Sequence, residues 1–164
     1  MIKKNKKESE RIQMEPIGRV KSKFRKPEEL HIACKKGRLF NAQSEIILAS
    51  RNKKMLAGLE EFSHVWVIFH LHKADKVEAV TYPGPSRISG LPPVGVLASR
   101  SQYRPNHIAL RLVQIIEVRG NSLKIMGLDA IDDSPVLDIK PYVPHFDMPA
   151  SPKTAYWYEG WSDD

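Results

Sequence analysis

The stretch that decides the fold is residues 108–130, which read IALRLVQIIEVRGNSLKIMGLDA. Two runs rich in β-branched and aliphatic residues, 108–118 and 123–130, flank the dipeptide Gly120-Asn121. A glycine–asparagine pair between such runs is a strong signal for the tight turn of a β-hairpin. The stretch therefore predicts two antiparallel strands joined by a short turn.

Short β-rich runs continue on both sides of this hairpin. The most apolar is HVWVIFHLH at residues 64–72, whose β-branched and aromatic content predicts a buried strand. Further strands are predicted at residues 17–24, 45–49 and 94–99, an edge strand or loop at 136–144, one or two helical turns at 52–62, and a proline-rich loop at 83–93. Many short strands with few helices predict an all-β or β-rich fold, a small barrel with one or two short helices.

Length and composition favour one soluble domain. The chain has 164 residues, and its single cysteine cannot form an internal disulfide, which favours a reducing compartment. No apolar run approaches the ~20 residues of a membrane span, and the charged N-terminus is unlike a signal peptide. We therefore expect a cytoplasmic protein that does not associate with a membrane.

The net charge of +7 comes from the N-terminal end. Ten basic and three acidic residues lie within residues 1–26, and the 16 bases and 16 acids of the remainder balance. The polar residues 1–11 predict a basic flexible tail. Such an arm either binds nucleic-acid phosphates or simply keeps the chain soluble, and charge alone leaves both interpretations open.

Three common active-site motifs are missing. The chain contains no G-x-G-x-x-G after a strand, no G-x-x-x-x-G-K-[ST] and no G-x-S-x-G. These absences argue against a Rossmann nucleotide site, a P-loop and a nucleophile elbow.

Several polar side chains suggest chemistry without these motifs. His70 and His72 lie two apart on a predicted strand and would share one face, an arrangement that suits a metal ion; we favour ordinary hydrogen-bonded histidines and no metal. Arg100 and Arg104 follow a predicted strand, and their fork geometry suits a carboxylate or phosphate, although surface ion pairs would explain them equally well. The other candidates are Asn106, Asp129, Asp138 and Lys140.

Three segments together resemble the TsaA-like family, whose best-known members are the TrmO tRNA methyltransferases. They are GLEEFSHVWVIFHLH (58–72), VGVLASRSQYRPNHIAL (94–110) and GLDAIDDSPVLDIKPYVP (127–144). The resemblance implies a small, non-Rossmann β-barrel that forms a homodimer and binds S-adenosylmethionine. It also implies methylation of the exocyclic nitrogen of N6-threonylcarbamoyladenosine, next to the anticodon in the anticodon loop of tRNA.

The resemblance carries over to individual residues. It implies cofactor contacts at Gly37, Arg38, His72, Lys73, Arg100, Leu110, Gly127, Leu128 and Asp129. Arg104, Asn106 and Lys140 would hold the substrate. The acceptor nitrogen must lose a proton, so a general base is useful, and Asp138 is the first candidate and Tyr142 the second.

This chain departs from the family pattern, and two of the departures lie within the quoted segments. Where the family usually has R-P-N-P-I-G-L-S, residues 104–111 read RPNHIALR, and where it has D-G-T-P, residues 132–135 read DDSP. Two alternatives therefore stay open, a methyltransferase with a different small or RNA acceptor, and a non-catalytic module that binds S-adenosylmethionine or RNA. The expected division is a tail at 1–11, the barrel at 12–148 and an aromatic extension at 149–164.

Overall fold

Six antiparallel strands form a closed barrel in the computed structural model, which describes residues 11–82 and 90–158. The strands in chain order are β1 (Gly18–Lys21), β2 (Gln43–Leu48), β3 (His64–His70), β4 (Val80–Thr81), β5 (Val94–Gly95), β6 (Ile108–Arg119), β7 (Ser122–Met126) and β8 (Pro135–Pro141). Around the barrel the order is β1-β2-β7-β6-β3-β8, and β4 pairs with β5 in a separate ribbon. The predicted β-barrel is confirmed.

The central hairpin forms as predicted, although its second strand ends at Met126 rather than at residue 130, because the chain turns at Gly127. Arg119 pairs with Ser122, so Gly120 and Asn121 make a two-residue turn between β6 and β7. Gly120 has a φ of +63°, which glycine adopts without the steric cost that a side chain would bring.

Alternation along β3 shows how the barrel is filled. Val65, Val67 and Phe69 are at most 1% exposed and point inward, while the residues between them are half-buried on the outer face. Successive side chains of a strand face opposite sides, so every second residue packs into the barrel. Burial of these apolar side chains is the main stabilising contribution to the fold.

Three strand predictions need correction. Only Val94–Gly95 of the predicted strand 94–99 is extended, because residues Val96–Ala98 turn into a 3-10 helix. The first strand ends at Lys21 rather than at residue 24, since the Ser22 amide donates to the Asp132 carboxylate (3.0 Å) instead of to a neighbouring strand. β8 is not an edge strand: its prolines stand at its two ends, so it pairs with both β1 and β3.

The helices are short. Within the described residues they are α1 (Pro27–Lys35), α2 (Pro144–Asp147) and the 3-10 helices Ser50–Leu56, Leu59–Glu61, Val96–Ala98 and Tyr156–Tyr158. The first two 3-10 helices correspond to the predicted turns at 52–62. Sequence reasoning missed α1, which begins with Pro27 and is stabilised by Glu29, whose carboxylate accepts a hydrogen bond from the Arg25 amide (2.7 Å).

Some sequence predictions lie outside the described residues. Residues 1–10, 83–89 and 159–164 are not described, and they include most of the predicted tail, most of the proline-rich loop and Trp161. In the part of the chain that is described, no helix is long and apolar enough to cross a membrane.

Candidate functional site

A small pocket of about 50 Å³ brings together segments that are distant in the sequence. It is lined by Pro27, Leu30, Phe69, Leu71, Lys73, Ala74, Gln102, Asp129, Ala130, Ile131 and Ser134. Typical ligand clefts measure roughly 300–1,000 Å³. The pocket is therefore much smaller than such a cleft, and a ligand that enters it would extend outward.

The turn formed by Gly127, Leu128 and Asp129 leads from β7 into this pocket. Gly127 has a φ of +91°, and its amide donates to the Ala42 carbonyl (3.0 Å). Leu128 is fully buried in the barrel core and anchors the turn. These contacts fix the position of the carboxylate that follows.

Asp129 has the most unusual environment in the pocket. Its Oδ1 atom is buried and has no hydrogen-bond partner, although a buried charged oxygen normally has one. Burial raises the pKa of the Asp129 carboxyl, and the charges of Arg111 and Arg100 act in the opposite direction. An unsatisfied buried acceptor of this kind marks a candidate binding group.

Two further groups adjoin Asp129. The Cys34 thiol, near the end of α1, has a pKa raised first by burial and then by the negative charge of Asp129. Arg100 donates to the Leu110 carbonyl (3.0 Å). Helix α1 and the loop before β6 thus border the Asp129 carboxylate.

His72 and Lys73 follow the end of β3. His72 lies in a turn and not on the strand, so it does not share a strand face with His70 as predicted. Its Nδ1 atom is buried without a partner, and burial, followed by the Lys73 charge, lowers the pKa of its ring. Lys73 lines the pocket and donates to the Arg25 carbonyl (2.9 Å).

Gly37 and Arg38 do not line the pocket. They follow α1, where their amides donate to the carbonyls of Cys34 (3.1 Å) and Ala33 (2.9 Å). Arg38 is exposed. The part of this region that does reach the pocket is the start of α1, at Pro27 and Leu30.

The proposed base residues lie on the outer face of the barrel. Ile68 pairs with Asp138 on one side and with Leu110 on the other, so these three side chains share a row. Asp138 forms an ion pair with Lys140 (2.9 Å), and both side chains are about half exposed or more, at 46% and 64%. The ring of Tyr142 packs edge-on against Trp66, with 6.3 Å between the centroids.

Arg104 and Asn106 belong to the loop before β6. Arg104 donates to the carbonyls of Ser99 and Ser101, both at 3.3 Å, and so supports the loop from within. Asn106 is exposed.

The structure gives the metal alternative no support. Among residues 11–82 and 90–158, no three histidine, cysteine or acidic side chains cluster closely enough to hold a metal ion. His70 instead has the His107 ring as a neighbour, 6.4 Å away between centroids.

Comparisons with known proteins show the family of this chain. The chain matches the model of the tRNA-methyltransferase O N-terminal domain over residues 19–148. It is 45% identical over 94 residues to a "tRNA (adenine(37)-N6)-methyltransferase" of Mus musculus, which is 57% of this chain and 22% of that protein. An "S-adenosyl-L-methionine-binding protein" of Archaeoglobus fulgidus is 40% identical over 136 residues, which is 82% of this chain and 91% of that protein.

A solved structure has the same fold. A crystal structure of TrmO superposes with a TM-score of 0.70 and 31% identity, covering 88% of this chain and 64% of that one. The chain thus spans about a fifth of the length of the mouse relative and nearly all of the archaeal one.

Proposed function

Because this chain belongs to the family of tRNA-methyltransferase O N-terminal domains, we propose that it is an S-adenosylmethionine-dependent tRNA methyltransferase. Its acceptor is the exocyclic nitrogen of N6-threonylcarbamoyladenosine beside the anticodon. The observation that carries this proposal is the buried, unpartnered Oδ1 of Asp129 in a pocket formed by three of the segments that resemble the family.

The residues of the pocket suit this cofactor. Asp129 offers an acceptor to a hydroxyl or amino group, and Phe69 and Leu71 offer apolar walls to a nucleoside. Arg100, whose charge acts on Asp129, is the group we assign to a carboxylate, which its planar fork binds well. When bound, S-adenosylmethionine supplies an already activated methyl group, so the protein mainly supplies alignment and charge.

We propose that a side chain on the outer face of the barrel, at or just after β8, removes the proton of the acceptor nitrogen. The acceptor nitrogen exchanges a proton for the methyl group, and Asp138 is proposed to take that proton, with Tyr142 as the second candidate. Lys140 is paired with Asp138, and we propose that it contacts the acidic groups of the substrate together with Arg104 and Asn106.

Methyl transfer to total tRNA tests the proposed function directly. We expect labelled methyl groups to appear in N6-threonylcarbamoyladenosine when the digested nucleosides are analysed by mass spectrometry. Asp138→Asn should keep cofactor affinity and lose most turnover, because it keeps the shape of the side chain and removes the base.

The other outcomes of this assay separate the alternatives. A labelled nucleoside of another kind would support a different acceptor, and cofactor binding with no transfer would support a binding module. Full turnover by the Asp138→Asn variant would contradict the assignment of the base.

A separate groove of about 350 Å³ supports a polyanionic partner. It opens where β1 ends, and Lys21, Lys23 and Lys124 line it with Glu45 as the one acid of the lining. Ser44, also in the lining, has a buried hydroxyl without a partner. We propose that RNA phosphates lie here.

Salt dependence tests this groove. The double variant Lys21→Ala/Lys23→Ala should reduce the slope of log affinity for tRNA against log salt by about 1–2, because fewer counterions are released. Fluorescence anisotropy at several salt concentrations measures it. Lys153→Ala, at an exposed position outside the groove, is the control and should leave the slope unchanged. An unchanged slope in the double variant would remove the groove from the RNA interface.

We also propose that the protein works as a homodimer in the cytoplasm. Large apolar side chains that are well exposed, at 53% for Phe40, 74% for Leu97 and 80% for Phe146, support burial in a further interface.

A further inference from the structure

Arg111 occupies a position in the barrel where an apolar residue is expected. It pairs with Val67, and the pairs on either side of it, two residues away, join Val65 to Val113 and Phe69 to Ala109. Directly paired residues face the same side, and the β3 members of these pairs are buried core residues. A charge at this inward-facing position needs polar partners to offset its burial.

The guanidinium of Arg111 finds its partners at the open end of the barrel. β7 ends at Met126, which pairs with Gln114, so the part of β6 that contains Arg111 has no β7 neighbour. The Nε atom donates to the Gly127 carbonyl (3.2 Å), and the Cζ atom lies 5.4 Å from the centre of the Phe40 ring. Arg111 therefore connects β6 to the Gly127 turn and to the segment before β2.

The turn that begins at Gly127 ends at Asp129, whose carboxylate Oδ1 is buried without a partner. We propose that Arg111 is a positioning residue for the ligand: by holding Gly127 and packing on Phe40, it keeps Asp129 Oδ1 ready to accept a hydrogen bond from a hydroxyl or amino group of a bound nucleoside. The inference rests on the proposed function and names how its cofactor site is organised.

Arg111 has an electrostatic effect besides its geometric one. Burial raises the pKa of Asp129, and Arg111 is the largest opposing influence, ahead of the backbone amide of Asp129 and the charge of Arg100. Among the described residues, Cys34 on α1 and Lys73 in the pocket are further titratable groups near Asp129. Without the Arg111 charge, the Asp129 carboxyl would take up a proton at a higher pH and become an uncharged, weaker acceptor.

Two variants separate geometry from charge. Arg111→Gln should weaken S-adenosylmethionine binding about tenfold at neutral pH, and the ratio to wild type should grow as the pH falls. Arg111→Lys keeps the charge and loses the planar contact. The ratio of its affinity for S-adenosylmethionine to that of wild type should therefore be lowered to the same extent at every pH. Isothermal titration calorimetry between pH 5.5 and 8 measures both. A ratio for Arg111→Gln that does not change with pH would overturn the electrostatic role, and unchanged affinity in both variants would overturn the positioning role.

A ligand-free measurement keeps this inference distinct from the proposed function. Titration of the Asp129 carboxyl by ¹³C NMR should give a higher pKa in Arg111→Gln than in wild type, as expected when a nearby positive charge is removed. An equal pKa in both proteins would overturn the coupling. If wild type binds no S-adenosylmethionine, the proposed function fails, whereas this titration still tests whether Arg111 controls Asp129.

Discussion

Asp129→Asn is expected to weaken S-adenosylmethionine binding about 100-fold and to leave the protein at least as stable as wild type at neutral pH. A hydrogen bond to a charged group contributes about 1.5–3 kcal/mol, and each ~1.4 kcal/mol is a tenfold change in affinity. The amide keeps the size of the carboxyl and removes its charge. Because Oδ1 has no partner in the protein, the substitution breaks no hydrogen bond to that atom in the free state.

The stability part of this prediction follows from the pKa of Asp129, which burial raises in the folded protein. A carboxyl that holds its proton more tightly when folded lowers stability as the pH rises from the unfolded pKa of ~3.9 through the folded one. Asparagine cannot ionise, so the variant lacks this loss. The difference in free energy of unfolding should therefore favour the variant at neutral pH and disappear under acidic conditions.

Calorimetric titration and urea unfolding at several pH values measure the two effects. Asp133→Asn is the matched control, because Asp133 is exposed, forms a surface ion pair with Arg19 (3.3 Å) and has a φ of +65° that asparagine tolerates. It should change neither property much. Intact binding together with a lower stability in Asp129→Asn would mean that the carboxylate is structural.

The barrel was predictable because its signals are local. The turn at Gly120-Asn121 and the β-branched and aromatic run at 64–72 each need only neighbours in the sequence; the turn is confirmed, and the run forms a strand over residues 64–70. The end of a strand is harder to predict, because it depends on a distant partner: β1 ends where Asp132 takes the Ser22 amide. The position of β8 was missed because its prolines, which suggested an edge, stand at its ends.

The candidate site was only partly predictable. The family resemblance pointed to Asp129 and Lys73, and both line the pocket. Arg111 looked like an ordinary strand residue, because its partners, Gly127 and Phe40, reach it only after the barrel has closed. The approach of α1 to the pocket could not be predicted either, since the local signal for that helix is a proline followed by two acidic residues.

Gly18→Ala is expected to lower the free energy of unfolding by about 3 kcal/mol, the upper range for overpacking a tight site. Gly18 pairs with Leu48 of β2 and with Val136 of β8, so it lies where the barrel closes. A Cβ atom there would lie 2.5 Å from the Ile47 carbonyl oxygen and 2.9 Å from the Leu48 Cα. Backbone atoms cannot rotate away as a side chain can, so β1 would have to move.

Urea and thermal unfolding of the Gly18→Ala variant measure this loss, and Gly95→Ala is the matched control. Gly95 also lies in a β-strand, but a Cβ atom there meets nothing within 4 Å, and its φ of −56° suits alanine. The control should therefore be neutral or slightly stabilising, because alanine reduces the entropy of the unfolded chain. Equal losses in the two variants would show that the removal of a glycine, and not the clash at the closure of the barrel, is the cause.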